Sequence, residues 1–287
     1  DELKIFSGTN FDATDGDGSI EMVEGWYEQY IGDLTATLGK LDGTIYIDTN
    51  EYANDEASQF LANMFRNNPV LPFPDNGPGF RAAYALTENF DVDAIYLGGD
   101  GDWEDAFNNG FFATQAHIQS DILGAPGNFR FYGWNSLRDH TKFTDASSNT
   151  NDSYGFGLSF DQELTEYLGA FVRYGWQNPE VFLNGEDFAL EHAYSIGAQL
   201  SGEIWNRQDD VFGIAFGQVF PSDDYKDANA GFKADPESQL EAYYNFVLNE
   251  HLTLSPMVQV VFDPFGGDAV NGDKTIVIGG YRAQVTY

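Results

Sequence analysis

The stretch Lys274-Thr275-Ile276-Val277-Ile278-Gly279-Gly280-Tyr281-Arg282-Ala283-Gln284-Val285-Thr286-Tyr287 decides how the rest of the chain is read. Val277, Gly279, Tyr281, Ala283, Val285 and Tyr287 alternate with Gly280, Arg282, Gln284 and Thr286. A period of two places the two sets on opposite faces of a strand. One face carries tyrosines and aliphatics, the other an arginine and a glutamine. A soluble strand would bury its apolar face and would rarely end on an unpaired aromatic. In a transmembrane β-barrel that face meets lipid, and an aromatic at the strand end fits the interfacial girdle.

The other segments repeat this pattern. Strands are predicted near 1–7, 19–31, 33–42, 79–87, 90–98, 111–123, 127–138, 153–162, 166–177, 190–204, 210–220, 237–248, 251–263 and 274–287. Many have the length a tilted strand needs to cross roughly 25 Å of hydrocarbon. Tyr154, Phe156, Leu158 and Phe160 alternate clearly, as do Leu240, Ala242, Tyr244, Phe246 and Leu248. The connections sort by parity. Short ones (Gly32-Asp33, Thr87–Phe90, Leu123–Pro126, Gln162–Thr165, Trp205–Asp209, Asn249-Glu250) alternate with long ones (8–18, 43–78, 99–110, 139–152, 178–189, 221–236, 264–273). An up-and-down barrel with tight periplasmic turns and long external loops shows this alternation, whereas a sandwich or propeller has no reason to. The expected fold is therefore all-β: one transmembrane up-and-down antiparallel barrel over 1–287. Fourteen strands are readable, or sixteen if an N-terminal hairpin is missing.

Composition agrees. The 287 residues contain no cysteine and carry a formal net charge of −33, which argues against nucleic acid as a partner. No run of apolar residues is long enough for a membrane helix. The chain begins on Asp1, as a processed form or a fragment would. The long connections are rich in Asp and Glu and hold only Arg66, Lys142, Lys226 and Lys233 as basic residues, so the acidity gathers on one rim. That rim could hold divalent cations loosely; no other cofactor is expected. Asp12–Glu24 echoes a calcium loop, but Ala13 stands at its first ligand position, and an acidic turn accounts for it better. His117, His140, His192 and His251 are scattered without a metal or hydrolase motif, so no enzyme is expected.

The connection 43–78 is the most informative loop. Asn54-Asp55-Glu56 caps a predicted helix near 55–67, with Ala57, Phe60, Leu61, Met64 and Phe65 on one stripe and Asn67-Asn68-Pro69 ending it. Folded inward, such a loop narrows the lumen, with Asp48, Asn50, Asp55 and Glu56 as its polar residues. The alternative is a helix packed on the outer rim or at a subunit contact, with no part in conduction.

Gly39-Lys40-Leu41-Asp42, Asp48, Asn50, Tyr52-Ala53-Asn54-Asp55-Glu56, Phe60-Leu61 and Asn67-Asn68-Pro69 resemble the carbohydrate-selective porin (OprB-type) family. Glu241, Tyr244, Leu254-Ser255-Pro256, Gln259, Pro264 and Arg282 fit it too. The resemblance implies a sixteen-stranded bacterial outer-membrane barrel passing small sugars, and ions with them, by passive diffusion. By analogy with porins a homotrimer in outer-membrane lipid is expected. The alternatives are a general cation-leaning porin, or a soluble secreted β-rich domain that binds or cleaves carbohydrate.

A sugar pore needs polar groups beside aromatic rings. Strand phase nominates Arg81, then Arg130, Tyr132 and Trp134, then Phe171 and Arg173. Further along it nominates Glu191 and Glu203, Glu241 and Tyr243, and Arg282. The same residues could instead satisfy one another inside the wall.

Overall fold

The structure, a computed structural model, describes Phe6, residues 22–99, Trp103 and residues 106–150, 153–183 and 190–286. Its main sheet has 13 strands in strict chain order, every neighbouring pair antiparallel. These are β1 (Gly25–Ile31), β2 (Leu34–Leu41), β3 (Gly77–Thr87), β4 (Phe90–Leu97), β5 (Phe111–Ser120) and β6 (Gly127–Ser136), followed by β9 (Ser153–Thr165) and β10 (Leu168–Gln177). The sheet continues with β12 (Leu190–Ser201), β13 (Val211–Pro221), β14 (Glu237–Asn249), β15 (Leu252–Phe262) and β16 (Ile276–Val285). Thirteen of the fourteen expected strands are present. The segment 1–7, apart from Phe6, lies outside the described residues, as do most of the calcium-like loop, part of the 99–110 and 178–189 connections, and Tyr287.

From β1 to β16 the connections alternate short and long as expected. Two of the long connections carry strands of their own: β7 (His140–Lys142), β8 (Asp145–Thr150) and β11 (Val181–Leu183) form a separate 3-stranded sheet in the order β11-β7-β8. Strand β16 alternates between half-covered and exposed residues along its whole length, with Val277, Tyr281 and Val285 exposed. In register across the outer wall stand Val172, Ile196, Phe216, Leu240, Val260 and Val277. Each aliphatic side chain kept out of water is worth about 1.5–3 kcal/mol, so a continuous row of this kind belongs against hydrocarbon.

Much of the inner face is covered. Ile47 and Leu71 of the β2–β3 connection pack with Leu41, Ile95, Leu97, Phe111, Ala113, Tyr132 and Trp134 of β2 and β4–β6. Phe60, Ala62, Met64, Phe65 and Val70 of the same connection pack with Phe171, Ala193, Ala215, Val219, Tyr243 and Met257 of β10 and β12–β15. Strands far apart in the sheet thus close on one loop, and the sheet curls around it as a barrel wall must.

Candidate functional site: the partitioned lumen

The loop between β2 and β3 is fastened by side chains whose strand phase points inward. Arg173 of β10, buried to 1% exposure, donates to Phe65 O (2.7 Å), Asp48 O (2.9 Å) and Asn54 Oδ1 (3.3 Å). Its Nε stands 3.3 Å from the Asp48 carboxylate. Glu241 of β14 accepts from the Leu61 and Ala62 backbone N–H groups, both at 2.8 Å, and from Gln259 Nε2 at 3.0 Å. Gln115 of β5 accepts from Asp48 N, and Ser159 of β9 accepts from Asn50 while donating to Thr49 O. Arg130 pairs with Asp161 at 2.6 Å, and Asp161 accepts from Glu51 N. Arg282 of β16 donates to Glu56 O and Gln59 O.

Inward-phase glycines make the seat. A Cβ added at Gly169 would lie 2.0 Å from the Tyr52 ring, and one at Gly217 would lie 2.4 Å from Met64 Sδ. Only residues without a side chain let the loop approach the wall this closely.

The helix expected near 55–67 shrinks to α1 (Asn63–Arg66), preceded by a turn in which Gln59 N donates to Asp55 O. The wall is the reason. Glu241 takes the N–H groups of Leu61 and Ala62, and Asn245 takes Ser58 O, so the wall supplies partners that helical bonding would otherwise provide. The apolar stripe is nevertheless used as such, with Phe60 set against Phe65, Phe171 and Tyr243 at ring distances of 5.4, 5.9 and 5.0 Å.

The nominated residues therefore divide into groups. Arg130, Tyr132, Trp134, Phe171, Arg173, Glu241 and Tyr243 face inward and are buried beneath the loop, together with its own Asp48 and Asn50. They work as its anchorage, the alternative that phase alone left open. Arg282 is half-covered by the same loop, whose Asp55 and Glu56 stay exposed. Two nominations are corrected. Glu203 lies beyond the end of β12 in an exposed 3₁₀ turn at the periplasmic side. Glu191 is carried to the outer wall, because β12 has a register shift between Leu190 and His192 that flips the phase used to place it.

Arg81 stays partly exposed, its side chain at 17%, and among the described residues makes no hydrogen bond to the loop's backbone. Its Nε is 2.5 Å from Asp93 and its Nη1 4.0 Å from Glu28 of β1, and its guanidinium lies 4.7 Å over the Tyr46 ring. Burial pushes the Tyr46 phenol up. Glu28 also accepts from Thr37 Oγ1 (3.0 Å) and from the Tyr30 hydroxyl. Trp26, Glu28 and Tyr30 share the inward face of β1, opposite Gly39, Thr37 and Thr35, and Trp26 and Tyr30 are exposed. Sequence reading missed Trp26, Glu28, Tyr30 and Tyr46. Carrying the phase of Arg81 through β2 to β1 would have found the first three. Among the described residues no group of three or more His, Asp or Glu side chains converges as a metal site.

A sequential antiparallel barrel with an apolar outer wall and a loop seated in its lumen is the architecture of an outer-membrane porin. The family model described as "Carbohydrate-selective porin, OprB family" matches residues 4–287, and the chain belongs to that family. An uncharacterized protein of Aquifex aeolicus (strain VF5) is 28% identical over 227 residues, covering 78% of this chain and 58% of that protein. The chain thus spans well under two thirds of that relative. The high-pH structure of Pseudomonas putida OprB is similar with a TM-score of 0.80 and 16% identity, over 99% of this chain and 77% of that one. The outer-membrane channel DcaP of Acinetobacter baumannii gives 0.54 and 13% identity, over 99% and 93%. At these identities the solved structures speak for the fold alone.

Proposed function

We propose that small sugars diffuse passively through the part of the lumen the loop leaves uncovered, bordered by the inward face of β1, by the inward positions of β2–β4 on the side of the short turns (Thr35, Arg81, Ala83 and Asp91), and by the Tyr46 side of the loop. The observation that carries this reading is the set Trp26, Tyr30 and Tyr46 beside Glu28, Arg81 and Asp93. Rings offer flat surfaces to sugar C–H faces, while the carboxylates and guanidinium exchange hydrogen bonds with hydroxyls. Opposite charges side by side set a field across the lane rather than a plain ion filter. No bond is made or broken: passage is a succession of weak contacts, and the loop narrows the path by filling the other side.

A second reading has its own support. Glu28, Asp91 and Asp93 against Arg81 give this border an acidic balance, which favours a general, cation-leaning pore. Liposome swelling with neutral sugars, run beside salt conductance in planar bilayers, separates the two. Sugar entry that drops on Trp26→Ala and Tyr30→Ala supports the first. Exclusion of every sugar at high ion conductance overturns it.

A further inference from the structure

The β12 bulge that removes Glu191 from the lumen builds something on the outside. Trp176 Nε1 donates to Glu191 Oε1 at 3.4 Å, His192 Nε2 lies 3.4 Å from the same oxygen, and the Tyr174 hydroxyl meets His192 Nδ1 at 2.8 Å. Tyr154 and Phe156 flank the indole. Among the described residues, the indole and imidazole contacts of Glu191 both fall on Oε1. The side chains of Glu191 and His192 are 27% and 38% exposed.

The level of this cluster on the wall is fixed by register. Tyr174, Tyr194, Gln218 and Ser238 stand opposite one another, with Tyr194 Oη donating to Gln218 and Gln218 to Ser238. One step toward the periplasm the outer face becomes Val172, Ile196, Phe216 and Leu240. One step outward come Trp176, His192 and Phe220. The cluster therefore sits on the external edge of the apolar band. A carboxylate is costly inside hydrocarbon and is tolerated at headgroup depth. Bulges commonly serve to re-aim a side chain.

We propose that Glu191, His192, Trp176 and Tyr174 bind the saccharide headgroup of a glycolipid in the outer leaflet. A sugar hydroxyl donates to the Glu191 carboxylate, another exchanges a hydrogen bond with His192 or Tyr174, and C–H groups rest on the indole. A second copy of the chain fits less well, because its apolar wall would bury Glu191 without giving the carboxylate a new donor. A hydroxyl-rich headgroup supplies that donor and leaves water at its rim.

The test uses the full chain extracted in an amine-oxide detergent and placed in phosphatidylethanolamine nanodiscs, with and without rough-type lipopolysaccharide. Lipid retained after release is counted by native mass spectrometry. The expected result is preferential retention of the lipopolysaccharide, reduced at least ten-fold by Glu191→Gln and, independently, by Trp176→Phe, with salt conductance unchanged. Trp176→Phe keeps the test open if the first variant folds poorly. Equal retention by the wild type and a folded variant overturns the proposal, as does equal retention of phosphatidylethanolamine. A shift in oligomeric state caused by Glu191→Gln overturns it too, since the cluster would then be a subunit contact.

Discussion

Arg173 Nε and Asp48 Oδ1 meet at 3.3 Å, with neither side chain more than 1% exposed: one belongs to the barrel wall, the other to the loop inside it. The guanidinium also holds Phe65 O and Asn54 Oδ1, so a single residue gathers three parts of the loop. Breaking a buried pair from one side leaves the other charge without compensation, at a cost of about 3–5 kcal/mol. That cost falls on the seated loop, because the strand-to-strand hydrogen bonds do not use the Arg173 side chain. Arg173→Ala is expected to leave the barrel folded, expose 43–78 to protease and raise single-channel conductance. A protease-resistant loop with wild-type conductance would sink this account of the latch.

Glu241 gives a finer version of the same test. Its two carboxylate oxygens each accept one backbone N–H at 2.8 Å, from Leu61 and Ala62. Glu241→Gln keeps the shape but replaces one acceptor with an amide N–H, which then faces another donor. Charge-assisted bonds are worth about 1.5–3 kcal/mol, so the loop should loosen in part. Expected are open-channel current fluctuations larger than wild type and smaller than those of Arg173→Ala, measured in planar bilayers.

What could be read beforehand follows from what a strand displays. Alternation at Val277, Tyr281 and Val285 announced an apolar outer wall, and connection length announced its topology. That the inner face is mostly roofed by a loop was not readable. Arg, Glu, Gln and Ser serve equally to face water or to hold a backbone, so Arg173 and Glu241 look the same in either role. The missed signal was small: Gly169, Gly175 and Gly217 recur on the inward phase, where a wall facing only water has no need of empty positions. Glu191 went astray for another reason, since a one-residue bulge reverses phase without a mark in the residue types.

Those glycines carry a prediction of their own. The Cβ of Gly169→Ala would fall 2.0 Å from Tyr52 Cζ, so Tyr52 or the wall must shift. Overpacking of this kind costs about 1–3 kcal/mol. Tyr52→Ala alone should leave a void, while the double variant Gly169→Ala/Tyr52→Ala should recover part of the loss. The measurement is the midpoint of heat-induced unfolding in detergent for the two single variants and the pair. Strict additivity of the two losses would show that the ring and the glycine are not matched.

The external sheet should respond to pH through His140. Its ring is 2% exposed, with Nδ1 2.7 Å from Arg138 O, and the residue pairs with Leu183 of β11 and Thr150 of β8. Burial holds the imidazole below its ordinary value of 6.5 and outweighs the opposing hydrogen bond to Arg138 O; the Arg138 charge acts with burial and the Asp139 charge against it. A depressed histidine is neutral when folded, so its contribution is intact above pH 6.5 and declines as pH falls from there through the folded value. The same ring lines a cleft of about 250 Å³ with Pro69, Phe73, Arg138, Val181 and Phe182, so loosening it also loosens the outer mouth. Amide exchange in β7 and β11 is expected to quicken as pH drops from about 7.5 to 5, once corrected for intrinsic chemistry. His140→Asn, which keeps a short polar side chain but does not titrate, should flatten that response. An acid response that persists in the variant would assign the sensitivity to another group.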